Sequence, residues 1–127
     1  MAISTDQWAA AMAFSRGLPA ATEDRKWGEH PVFSVADKMF CIFSAELPQM
    51  EQVSIAADPE RFLELTEQPG ISPAPYLARY HWIAVSAQSN LSSAALHLLI
   101  EAGYRRVLSK LPKRKQAPIL AELEARR

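Results

Sequence analysis

The sequence predicts an α+β domain in which an antiparallel sheet is packed on one face by helices. Apolar residues recur at helical spacing near both ends of the chain. Between them lie short runs rich in aromatic and β-branched residues, set apart by turn residues. Together these give the order helix, three or four strands, helix, strand, helix, which a sheet covered by helices accommodates.

The first helix is expected from Ser4 or Thr5, either of which can cap it, with Asp6 favoured by the positive end of the helix dipole. Trp8, Ala11, Met12 and Ser15 keep helical spacing, and Gly17-Leu18-Pro19 stops the helix. Arg25-Lys26-Trp27 reads as a strand before the turn Gly28-Glu29-His30-Pro31. A hairpin follows, with Val32–Val35 and Lys38–Phe43 joined through Ala36-Asp37. Gln52–Ala56 alternates polar with apolar, as a half-buried strand does.

Asp58-Pro59-Glu60 is a helix start, with Asp as cap and Pro in the first helical position; this helix is expected to run through Gln68. Pro69-Gly70 ends it. A proline-laden extended loop covers Ile71–Tyr76, and His81–Ser86 is the last strand. The longest helix starts near Ser92 or Ser93, carries Leu96, Leu99, Ile100, Tyr104, Val107 and Leu108 at helical spacing, and stops at Pro112. Lys113-Arg114-Lys115 reads as a basic linker before a short final helix, Pro118 to Arg126. One domain is therefore expected over 1–115, with a C-terminal tail over 116–127.

At 127 residues the chain buries about two thirds of its unfolded surface and needs no covalent staple. Its single cysteine, Cys41, sits in the apolar run Met39–Phe43 as a buried, inert thiol, a pattern suited to a reducing cytosol. The first residues lack a secretory signal, and no apolar run approaches the ~20 residues of a membrane span. A cytoplasmic location with no membrane partner is expected.

Net charge is zero, yet the charge is segregated. Residues 1–78 carry five basic and eleven acidic side chains, whereas residues 79–115 carry seven basic ones against Glu101 alone. Such a split gives a neutral protein one positive face. Arg106, Lys110 and Lys113 fall on roughly one side of the last long helix and its end, flanked by Arg105, Arg114 and Lys115. The dipole of that helix explains Lys110 and Arg106. Lys113, Arg114 and Lys115 go beyond it and either serve solubility alone or make a patch suited to phosphates.

Other chemistry finds little purchase. His30, His81 and His97 stand far apart, without metal-ligand spacing. No serine sits in a nucleophile turn, and the four glycines are isolated, so neither acyl transfer nor a phosphate loop is indicated. No enzyme activity, metal or cofactor is expected. Glu60, Glu64 and Glu67 form a solvated helix face. Trp27, Tyr80, His81 and Trp82 lie beside basic residues and either stack on bases or, for the two tryptophans, anchor the core.

Several segments, taken in order, resemble the MmcQ/YjbR family of small bacterial proteins. They are Leu18–Glu23, Phe33–Phe40, Val53–Ile55, Pro69–Pro73, His81-Trp82 and Leu111–Arg114. The resemblance implies a frataxin-like (CyaY-like) fold in a double-wing arrangement, and it implies DNA binding. The parts that would carry such binding are the hairpin at Asp37-Lys38, the strand entry Arg79-Tyr80-His81-Trp82, and the basic end. This chain departs from the family at Ala36-Asp37, where relatives often place two glycines. Frataxin likeness also raises iron binding by acids on the first helix, but here that helix carries only Asp6 before Arg16.

Two functions are thus expected from this sequence. In the first, DNA phosphates are bound by Lys38, Arg79, Arg106, Lys110, Lys113, Arg114 and Lys115, with Tyr80, His81 and Trp82 at the same surface. In the second, a protein- or small-ligand-binding module uses a groove built from Pro73 to Trp82, with no nucleic-acid contact. A monomer or weak homodimer is expected, any self-association running through Ile119, Leu120 and Leu123.

Overall fold

The computed structural model describes residues 2–45, 47 and 50–126. Met1 and Arg127, outer limits of the expected domain and tail, lie outside the described residues. Helix α1 (Thr5–Gly17) is capped by Ser4, whose hydroxyl accepts the Gln7 N–H at 3.1 Å while the Gln7 side chain accepts the Ser4 N–H at 2.9 Å. This reciprocal box satisfies two donors that a bare helix start leaves open. Strands β1 (Ala21–Lys26), β2 (His30–Val35), β3 (Lys38–Phe43) and β4 (Gln52–Ile55) follow.

Among the described residues the sheet has six strands, every neighbouring pair antiparallel, in the order β1-β2-β3-β4-β6-β5. Its last members are β5 (Ile71–Pro73) and β6 (Ile83–Ser86). The expected proline-laden loop is therefore partly a strand. It is tolerated because β5 is an edge, where a residue without an N–H removes no ladder bond.

Helices α1 and α3 (Ser93–Leu108) cover one face of this sheet. Phe33, Phe40 and Phe43 of the sheet meet Trp8 and Tyr104 of the helices edge-on, directly or through one another, at centroid distances of 5.3–6.4 Å. The Tyr104 hydroxyl donates to the Pro19 carbonyl at 2.6 Å, and burial pushes that phenol up to about 12. Cys41 is fully buried in this layer, which raises its thiol to about 12 and leaves it unreactive.

Two helix boundaries differ from the sequence reading. Helix α2 spans only Phe62–Thr66, because Asp58 builds a turn instead of capping a helix. Its carboxylate accepts the Glu60 N–H at 2.8 Å and its carbonyl accepts the Arg61 N–H at 2.9 Å. At the C-terminus the basic linker is replaced by the first turn of helix α4 (Lys113–Ala125), so the boundary drawn at 115 falls inside a helix. Pro112, at φ −54°, sets the entry, and Gln116 donates back to the Leu111 and Ser109 carbonyls at 2.6 and 3.2 Å. That contact ties the new helix to the carbonyl of Ser109, the cap of α3, and to that of Leu111 just beyond it. Leu123 is buried in the core of its own chain, with Ile119 and Leu120 packed against that core. Of the three residues expected to mediate self-association, Leu123 is thus internal, while Ile119 and Leu120 stay half-buried.

The β2–β3 turn forms its mirror-type geometry without glycine, at φ 49° for Ala36 and 65° for Asp37. Asp tolerates this region; alanine has no local hydrogen bond to compensate it. Ala36→Asn is expected to raise the unfolding free energy by roughly 1 kcal/mol in a urea titration, since Asn accepts left-handed angles. An unchanged midpoint would mean that the turn is not strained.

Candidate nucleic-acid interface

Strand register decides which sequence-predicted residues share a surface. Cys41 pairs with Ile55 and Ile55 with Ile83. The beginnings of β3 and β6 and the end of β4 thus lie at one end of the sheet. Lys38 opens β3 there, and Arg79 to Trp82 lead into β6. Helix α3 brings its C-terminal half to the same end, because Phe40 stacks edge-on with Tyr104 at 5.3 Å and Gly103 sits against Ala56. Arg106 and Lys110 follow within two turns. Helix α4 runs back along α3 until Leu123 meets the core and Arg126 donates to the Gly17 carbonyl, so Lys113, Arg114 and Lys115 remain at the α3–α4 tip. Sequence positions 38, 79–82 and 106–115 are thereby gathered at one end of the molecule, with Asp37 and Asp58 as acidic company.

Pairing sets most of these cations apart from the arginines elsewhere, although Lys26, at the other end of the sheet, also has no carboxylate partner among the described residues. Arg16 and Arg25 bracket Glu23 at 2.6 and 2.8 Å, and the Arg16 hydrogen bond, with help from Arg25, holds that carboxyl down at about 2. Arg61 binds Glu64 at 3.0 Å, Arg105 binds Glu101 at 3.0 Å, and Arg126 binds Glu122 at 3.3 Å. Among the described residues no carboxylate pairs with Lys38, Arg106, Lys110, Lys113, Arg114 or Lys115. Among the described residues the acidic stripe engages one cation, Arg61 through Glu64, and none of the C-terminal patch.

Helix α4 sharpens the contrast. Its first turn carries three cations and no acid, and Pro112 supplies no side-chain cap. Positive charge at the positive end of a helix costs about 0.3–1 kcal/mol per residue. The arrangement concentrates field and open N–H groups at one tip.

The aromatic candidates divide. Trp82 is only 8 % exposed, packed with Val32, Ile42 and Ala84 in a second core cluster, so its indole anchors the fold and does not stack on bases. Tyr80 is 58 % exposed beneath the Arg79 guanidinium, 4.9 Å from its ring centre. His81 takes a left-handed backbone at φ 66° and meets Phe62 edge-on at 5.4 Å. Trp27 is not a core anchor, being 65 % exposed.

Sequence reasoning missed what Trp27 does instead. The helix-free face of the sheet holds an apolar trough of about 530 Å³, floored by Met39, Ile42 and Ser54 and flanked by Trp27 and Tyr76. The expected groove from Pro73 to Trp82 contributes Pro75, Tyr76 and Leu77 to this trough, while Trp82 lies beneath. Among the described residues no three histidine, cysteine or carboxylate side chains converge as metal ligands. No helix in them is long and apolar enough to cross a membrane.

Comparison with known proteins places these features. The family model YjbR matches residues 16–106. The protein named Uncharacterized protein YbdF, from Escherichia coli O157:H7, is 33% identical over 90 residues, covering 69% of this chain and 72% of its own length. The crystal structure of Deinococcus radiodurans protein DR2400, domain DUF419, superposes with a TM-score of 0.76 at 22% identity over 91% of this chain and 87% of that one. A Pseudomonas syringae protein does so with a TM-score of 0.60 at 21% identity, over 74% and 92% respectively. These two likenesses show the fold.

Proposed function

We propose a function for this chain from the premise that it belongs to the YjbR family: it binds the phosphate backbone of DNA through the α3–α4 tip. The observation that supports this reading is the segregation of pairing. Among the described residues five cations, Arg106, Lys110, Lys113, Arg114 and Lys115, stand at one tip without a carboxylate, while Arg16, Arg25, Arg61, Arg105 and Arg126 are matched. Lys38, Arg79 and Tyr80 extend the surface at the same end of the sheet. Unpaired lysine and arginine on phosphates give affinity without sequence readout. The double-wing, frataxin-like arrangement and a cytoplasmic site of action belong to the same proposal.

The test is fluorescence anisotropy with short labelled single- and double-stranded DNA, beside a Lys110→Ala/Lys113→Ala/Arg114→Ala variant. Binding at low salt that the variant loses is the expected result. No binding at low salt, where electrostatics act over the longest range, would overturn the proposal and leave the apolar trough as the functional surface.

A further inference from the structure

The register that gathers the cations also opens a cleft beside them. It lies between the turn leading into α2 and the C-terminal half of α3, with a volume of about 350 Å³. Its floor is apolar and small-residued, made of Ala56, Ala57 and Ala102 with Leu65 and Ile83. Three arginines rim it, Arg61, Arg105 and Arg106, against one acid, Asp58.

Each group has a defined role around this cleft. Glu64 holds Arg61 through Nε at 3.0 Å, leaving its terminal nitrogens unengaged by that bond. Arg105 is held through Nε by Glu101 at 3.0 Å, with its Nη2 3.8 Å from Glu124. None of these three carboxylates lines the cleft. Among the described residues Arg106 has no carboxylate partner. Asp58 already accepts the Glu60 N–H. The lining itself thus carries three guanidinium groups and one carboxylate; Glu64, Glu101 and Glu124 stand behind two of the guanidinium groups and hold them in place in advance, and Arg106 supplies the unneutralised charge.

We propose that this cleft binds a small amphipathic anion: a compact apolar body, such as one ring, bearing a phosphate or carboxylate head. The floor takes the ring, and the arginine rim takes the head in the fork geometry that guanidinium groups offer to both anions. Size separates this from the nucleic-acid reading. The volume lies at the small-molecule end of about 300–1,000 Å³, too confined for a duplex. The proposal goes beyond that reading and shares only Arg106 with it.

The experiment is an amide-resolved NMR titration of the whole chain with phenyl phosphate, benzoate, inorganic phosphate and benzyl alcohol. Phenyl phosphate or benzoate is expected to shift Ala57, Leu65, Ala102 and Ser109 saturably, the tighter of the two naming the head group. Inorganic phosphate, without the ring, and benzyl alcohol, without the charge, are each expected to bind at least about tenfold more weakly. Arg106→Gln is expected to weaken the ring anion by about tenfold, and Ala102→Leu to remove its binding by filling the floor while the remaining spectrum stays folded. A Lys113→Ala/Arg114→Ala/Lys115→Ala variant is expected to lose DNA and keep the ring anion. Three results would overturn the proposal: shifts that never saturate, equal binding of benzyl alcohol, or unchanged affinity in both Arg106→Gln and Ala102→Leu.

Discussion

Replacing Gly103 by alanine is expected to lower stability by about 2–3 kcal/mol, even though alanine is the better helix former by about 1 kcal/mol. A Cβ at this position would stand 2.5 Å from the Ala56 carbonyl oxygen and 2.7 Å from the Ile55 methyl. The carbonyl is backbone at the end of β4, so it cannot rotate away as a flexible side-chain tip would. Helix α3 must then lift from the sheet, loosening the Phe40–Tyr104 contact and the Tyr104–Pro19 hydrogen bond on the same turn. It would also shift Arg106, three residues on, and so disturb both the cationic tip and the cleft. Urea unfolding followed by circular dichroism measures the loss. A variant as stable as the parent, or more so, would mean that α3 does not need to sit this close.

That dependence was only partly legible in the sequence. Helical spacing from Leu96 to Leu108 predicted α3 and its buried face correctly, and the hairpin at Ala36-Asp37 was placed to the residue. Both are local patterns in which side-chain period follows backbone period. What stayed hidden was longer in range. Helical spacing puts Gly103 on the apolar face of this helix, but the backbone that it must admit, the Ala56 carbonyl, lies 47 positions earlier in the chain and leaves no local signal. Asp58-Pro59 satisfies the rules for a helix start and yet closes a turn, because local capping signals do not fix how far a helix propagates. The first turn of α4 reads as a linker in the sequence, because Lys113-Arg114-Lys115 follows Pro112 and offers no apolar residue to mark a helix face. Gln116, reaching back to α3, makes the earlier start favourable, and that contact depends on tertiary structure.

The candidate site shows the same division. The cluster of basic residues was visible as a run, whereas its unpaired state was not, since ion pairs join residues as distant in sequence as Arg105 and Glu124. Trp82 and Trp27 looked alike beside basic residues, and folding sent one into the core and the other to the rim of the trough. No pattern in sequence distinguishes them, because Trp27 is placed by a three-residue turn and Trp82 by the segment folding over the helix-free face.

Exchanging Lys113, Arg114 and Lys115 for glutamate is expected to move stability and binding in opposite directions. Acids in the first turn of α4 complement the dipole that the cations now oppose, so the melting free energy should rise by about 1–2 kcal/mol at low ionic strength. The gain should shrink as salt is added, since these residues are exposed and screened. DNA affinity should fall by more than about 100-fold, because three attractive charges become repulsive. Thermal melts at two salt concentrations and one anisotropy titration measure both halves. A drop in stability would mean that the native cations contribute to folding and would remove the argument that they are kept at a cost.

The salt dependence of DNA affinity tests the central claim most directly. If the five unpaired cations each neutralise one phosphate of a duplex, log Kobs should fall with log salt at a slope of about −4 to −5. Between 50 and 200 mM salt that corresponds to roughly 500-fold weaker binding. The Lys110→Ala/Lys113→Ala/Arg114→Ala variant should retain a slope of only about −2, the difference counting the contacts removed. Equal slopes in the two proteins, or no measurable affinity at 50 mM salt, would contradict phosphate binding at the α3–α4 tip.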